Sequence, residues 1–212
     1  MNSTQRDVRT PTALPTWLAD RFRAALDRPH ALRRSLLLLV ALGAAYAGAI
    51  GLLALGGGTP GSAPWLAISR ADYFAAETAF TAPVIVLAAV LAAAVAYLVA
   101  RAFGASGTFD DTMVAVAYAT CVATLFSLVP DLLMGAVTTA GLVDGAELAA
   151  DLIRPSAART FLWTYLSLYS AAFLVLYPVA VRSAHRVPWW TAVATGWVGF
   201  AVYQGVLAVF IR

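Results

Sequence analysis

The chain has 212 residues, of which 61% are hydrophobic and only 12% are charged. Soluble domains average about 45–50% apolar and about 25% charged residues, so a water-soluble globule is excluded: a core of this size could not hide so much apolar surface. The formal charge of +3 is no nucleic-acid signal until it is placed along the chain, and its placement points to a membrane. The expected class is all-α, a polytopic bundle of five transmembrane helices with an amphipathic interfacial helix at the N-terminus.

Residues 1–34 form an Arg-rich arm. Residues 1–16 are dominated by threonine, proline and polar residues and are expected to be mobile. In the stretch that follows, Trp17, Leu18, Phe22, Ala25 and Leu26 share one helical face, with Asp20, Arg21 and Arg23 on the other side. That pattern fits a helix lying in the headgroup layer and equally a helix docked on the bundle. Trp17, Arg21, Phe22, Arg23, Arg28, Arg33 and Arg34 are the candidate contacts to lipid or a partner, since arginines near an anionic leaflet contribute about 1 kcal/mol each.

A helix needs about 20 apolar residues to cross roughly 30 Å of hydrocarbon. Spans are expected at about 35–55, 79–100, 112–130, 160–181 and 189–211. The first is too long and too far along the chain for a signal-peptide core, which runs about 7–15 residues, so it is read as retained. Gly56-Gly57-Gly58 opens a turn and is not a phosphate loop, because no Gly-Lys-Ser/Thr follows. Segment 65–78 reads as a second interfacial helix. Leu132–Val143 is too short for a sixth span and follows Pro130, which disfavours helix before it. It reads as a kinked extension of the third span, a surface segment or a re-entrant hairpin.

All fourteen basic residues are arginine, which with frequent alanine suggests a GC-rich, prokaryotic genome. With the N-terminus inside, five spans place ten arginines in the cytoplasm and four outside. The positive-inside rule favours that orientation, with the C-terminus outside a cell membrane.

On the third span Thr120, Thr124, Ser127 and Asp131 are spaced 4, 3 and 4 and share a face. On the fourth, Thr160, Thr164 and Ser167 do the same. Such stripes either join helices by hydrogen bonds or line a path for an ion or small solute, with Asp131 as its ionisable group. Ala88, Ala92, Ala96 and Ala100, then Gly43, Ala47 and Gly51, then Ala192 and Gly196, recur at four-residue spacing and suit close helix packing, within the bundle or between copies. Trp65, Trp163, Trp189, Trp190, Tyr165 and Tyr177 read as an aromatic belt.

Catalytic candidates are scarce. The two histidines, His30 and His185, flank arginines at span ends and are too few for a metal site. Cys121 is a single cysteine inside an apolar span. Asp144-Gly145 with Asp151 is similar to part of the aspartate motifs of lipid phosphotransferases, but their arginine and later paired aspartates are missing. No cofactor is expected.

Three stretches carry a family likeness. Arg101-Ala-Phe-Gly-Ala-Ser-Gly-Thr-Phe-Asp-Asp-Thr112 with Val116-Ala-Tyr-Ala119 resembles the Gly-Gly-x-Gly-Ser-Phe-x-x-Thr turn and Gly-Tyr-Ala of the YIP family, the Ypt/Rab-interacting membrane proteins, with Ala105 and Ala117 standing at two of the glycines. Val129-Pro130 is similar to the family's proline in the third helix, and Val181–Val187 to its short basic turn before the last span. The resemblance implies a five-helix domain with a cytoplasmic N-terminus. Eukaryotic members act in vesicle trafficking and bind small GTPases and one another; a prokaryotic member has no biochemical role by analogy, since fold does not transfer function. The expected function is a non-enzymatic membrane scaffold or adaptor with membrane lipids, other membrane proteins or its own copies as partners, and no nucleic acid. The alternative is a small transporter or permeation pathway along the polar faces of the third and fourth spans.

Overall fold

The computed structural model describes residues 16–60 and 66–211. Arg6, Arg9, Trp65, Arg212 and the N-terminal stretch before Thr16 lie outside the described residues. Among those described there are seven helices and no strand: α1 (Thr16–Leu26), α2 (Ala31–Leu55), α3 (Arg70–Ala102), α4 (Phe109–Thr139), α5 (Gly145–Ile153), α6 (Ala157–His185) and α7 (Trp189–Phe210). Five of them, α2, α3, α4, α6 and α7, are long and apolar enough to cross a membrane. The protein is an all-α, polytopic membrane protein.

Helices α3, α4, α5 and α6 begin where short polar side chains satisfy orphan backbone donors. The Ser69 hydroxyl accepts from the Asp72 N–H at the start of α3. Thr108 and Asp111 form a reciprocal capping box at the start of α4. Ser156 accepts from the Arg159 N–H to open α6. The turn before α4 reverses at Gly104, whose φ of 80° is a backbone conformation that costs glycine little.

One sequence expectation is revised here, and one set of alternatives is narrowed to the extension of the third span. Segment 65–78 does not form its own interfacial helix: Ser69 caps the chain directly into α3, which runs unbroken through Pro83 to Ala102. Its 33 residues are about 50 Å long, well beyond the hydrocarbon thickness. Pro130 does not end α4, which continues to Thr139.

The five long helices form a ring in which α4 packs on α2, α2 on α3, α3 on α7, α7 on α6 and α6 back on α4, with α3 also touching α4 across the middle. The most buried of them is α4. Small residues set the close approaches. Ala88, Ala92, Ala96 and Ala100 of α3 are fully buried, as is Ala192 of α7, and Gly43 of α2 lies against Ala82 of α3. At Gly196 of α7 a Cβ would stand 2.5 Å from the backbone nitrogen of Pro178 on α6, a distance that no side chain can occupy. These stripes are therefore consumed inside the bundle.

Helix α1 closes one end of the ring, against α6 and α4, and the short α5 sits at the other, against α6. Between the ends lies a layer of rings. Phe173 stacks on Tyr203 at 5.1 Å and on Phe200 at 5.3 Å, and meets Tyr177 edge-on at 5.2 Å. Phe173, Tyr177 and Tyr203 are fully buried.

Candidate functional site

The α4 stripe faces inward. Thr120 is fully buried and shares a 2.9 Å hydrogen bond with the Tyr177 hydroxyl of α6. One, two and three turns further along, Thr124, Ser127 and Asp131 line a cavity of about 690 Å³. The rise of 1.5 Å per residue places Asp131 about 12 Å from the α5 end of α4.

Both oxygens of the Asp131 carboxylate accept a hydrogen bond from a tyrosine. Tyr46 of α2 donates to Oδ2, and Tyr165 of α6 donates to Oδ1 at 3.1 Å. The carboxylate thereby ties three helices together. Beside it the Tyr169 hydroxyl donates to the Gln204 side-chain oxygen of α7 at 2.9 Å. Thr59 and Thr138 also line it, and the rest of the wall is mainly apolar, with Ile50 from α2, Met134 from α4, Leu162 and Leu166 from α6, and Leu207 from α7. Helix α5 covers the cavity with Leu148, Ala149 and Leu152. The ring layer of Phe173, Tyr177 and Tyr203 stands between this cavity and the α1 end.

The α6 stripe goes elsewhere. Thr160, Thr164 and Ser167 are exposed, and each hydroxyl donates to a backbone carbonyl of its own helix, at 3.0, 2.8 and 2.7 Å. They line an open surface groove with Trp163. Thus the two stripes do not meet each other or share a path, and α4 is joined to α6 through Thr120–Tyr177 and Asp131–Tyr165 instead. Hydroxyls that bond the preceding turn are satisfied without a partner helix, which is why α6 can present them outward.

Helix α1 divides its residues by face. Phe22 and Ala25 are buried in the bundle, so Phe22 contacts the protein core and not lipid. Trp17 is 61% exposed, and Arg21, Arg23, Arg28, Arg33 and Arg34 are all exposed. Arg23 pairs with Asp20 at 3.2 Å, a surface ion pair of small energetic weight.

The aromatic belt holds in part. Trp163 and Trp190 are exposed, and Trp189 receives Arg182 over its ring at 4.3 Å. Tyr165 and Tyr177 instead point inward, to Asp131 and to Thr120. Asp144 caps α5 by accepting from the Ala146 and Glu147 N–H groups, each at 2.9 Å, which accounts for the Asp144-Gly145 pair without lipid phosphotransfer. No cluster of three or more His, Cys, Asp or Glu side chains stands among the described residues.

Residues 13–211 match the Yip1 domain, a stretch that runs from just before α1 to the end of α7. The chain belongs to the Yip1-domain family. No curated protein and no solved structure matches it significantly. In this Yip1 domain the glycine-containing turn that carries the family likeness is the reversal at Gly104 together with the Thr108–Asp111 capping box. That turn is joined to the end of α6 by the Thr112 hydroxyl, 2.8 Å from His185 Nε2.

Sequence reasoning found Asp131 and its α4 neighbours but missed Tyr46 and the α5 cover. A signal for Tyr46 was present: it lies one turn from Leu42, Gly43 and Ile50, which are buried, so its hydroxyl falls on the packed face of an otherwise apolar helix.

Proposed function

We propose that this Yip1-domain protein is a non-enzymatic scaffold or adaptor of a prokaryotic cell membrane, with its N-terminus in the cytoplasm. Its arm binds anionic lipid and other membrane proteins. The observation that carries the reading is the division of α1: Phe22 and Ala25 are buried where the helix packs on α6 and α4, while Trp17, Arg21 and Arg23 of α1 are exposed, as are Arg28 in the turn that follows and Arg33 and Arg34 at the start of α2. A helix fixed by one face presents the other as a rigid platform, so binding does not have to order it first. An exposed Trp beside arginines suits the interface of a charged leaflet.

Cross-linking in native membranes followed by mass spectrometry tests this. It is run on the wild type, on a chain lacking residues 1–34, and on a variant with Arg21, Arg23, Arg28, Arg33 and Arg34 changed to Gln, which keeps Phe22 in place. A partner captured by the wild type and lost in both variants is expected. The same partners on all three chains would sink the adaptor reading.

A second reading, a permeation pathway, draws on Asp131 in its cavity. Against it stands the buried ring layer beyond Thr120, which leaves the polar face without continuation toward α1. Proteoliposome flux of sodium, potassium and protons is expected to equal that of empty vesicles. Flux abolished by Asp131→Asn would reverse the preference.

A further inference from the structure

We propose that the cavity between α2, α4, α5 and α6 binds a protonated primary amine carried on an apolar body, with Asp131 as its counter-ion. This site is separate from the α1 platform, and either can fail without the other.

The argument starts from the carboxylate. An ionised carboxyl group offers about four acceptor sites, and Asp131 uses one on each oxygen, for Tyr46 and Tyr165. Asp131 also lines the cavity, so its remaining acceptor capacity is available there. The two phenols are neutral donors: they position the group and offset part of its desolvation, but they do not cancel its charge. The described residues lining the cavity include no Arg, Lys or His. The site therefore has one acidic group and no basic one, in surroundings where an unpaired charge is costly and a paired one is not. An anionic or fatty-acid ligand would raise that cost. A protonated amine removes it and supplies several N–H donors.

The apolar body follows from the walls. Ile50, Met134, Leu148, Leu152, Leu166 and Leu207 surround the polar end. A cavity of about 690 Å³ falls within the roughly 300–1,000 Å³ of small-molecule sites, and apolar walls with a few placed polar groups are their usual construction. A hydrated metal ion would leave those walls unused. A free alkylamine-like molecule and the headgroup of an aminolipid both carry such an amine, and the recognition chemistry is the same.

The test is equilibrium binding of radiolabelled decylamine, decanol and decanoate to the full chain in phosphatidylglycerol nanodiscs, with empty nanodiscs as blank. Saturable binding of one decylamine per protein is expected, at least tenfold tighter than decanol, with no saturable decanoate. Asp131→Asn, which keeps the shape, should abolish the preference of amine over alcohol. Leu148→Trp, which fills the cavity from α5 and leaves the carboxylate alone, should abolish saturable binding of decylamine and decanol while helical circular dichroism is retained. A second set of nanodiscs containing phosphatidylethanolamine separates the two sources. Decylamine displaced there assigns the site to a lipid amine, and undiminished binding assigns it to a free one. Equal binding of decylamine and decanol, or wild-type selectivity in Asp131→Asn, overturns the proposal. Should Asp131→Asn fail to fold, unchanged decylamine binding by Leu148→Trp overturns it alone.

Discussion

Tyr46 and Tyr165 give Asp131 one donor on each oxygen and no counter-charge. Leaving a buried carboxylate one donor short costs about 1–3 kcal/mol, because the acceptor is dehydrated whether or not it is bonded. Tyr46→Phe and Tyr165→Phe are each expected to lower stability by that amount, read by unfolding in mixed micelles. Thr164→Val should change it little, since that exposed hydroxyl bonds only its own helix. Equal losses for the tyrosine and threonine variants would show that Asp131 has no need of its donors. The carboxylate was legible in the sequence because an ionisable residue stands out in an apolar run. Its partners were not. A tyrosine near a span end is as compatible with the headgroup belt as with the interior, and position along the chain does not say toward which side the ring turns. The α6 hydroxyls misled for a related reason: a four-residue spacing fixes that side chains share a face, not which face the bundle covers.

At the scale of elements, the long apolar helices were legible and the short ones were not. Hydrophobic length identifies a span with little help from context. The helix α5 has only nine residues, too few to hold itself together in isolation, so its existence rests on its cap and on the cavity and α6 beneath it. The extension of α3 back to Arg70 was hidden because its first turns carry Arg70, Asp72 and Glu77, charges that read as a separate surface segment when only apolar windows are counted. These features make α5 the element most easily loosened. Removing its cap by Asp144→Ala should cost about 1 kcal/mol and raise amide hydrogen exchange several-fold across residues 145–153, while α4 stays protected. Asp144→Asn, which keeps an acceptor at the cap, should exchange as the wild type does. Uniform exchange in all three chains would mean that packing on α6, and not the cap, holds the helix.

For the whole molecule, direction decides which side receives the arm, because five crossings place α1 and α5 on opposite sides whichever way the bundle inserts. The arginines argue for one answer. Seven of the fourteen lie within residues 1–34, two of them in the first turn of α2, and positive charge close to the first span dominates insertion more than charge in later turns. The acidic residues Asp144, Glu147 and Asp151 lie at the α5 end and contribute little to that choice, so the prediction rests on the arm. In a Cys121→Ala background, a cysteine placed at exposed Ala146 should react with a membrane-impermeant maleimide on intact cells. One placed at exposed Asp27 should react only after permeabilisation. The Arg-to-Gln variant of the arm removes five of the seven charges while leaving the spans intact, and should yield a mixed population in which both sites label in part. Labelling of Asp27→Cys on intact wild-type background cells would put α1 and its arginines outside. It would also remove the adaptor platform from the side where cytoplasmic partners could reach it, so a single labelling experiment bears on both the orientation and the proposed function.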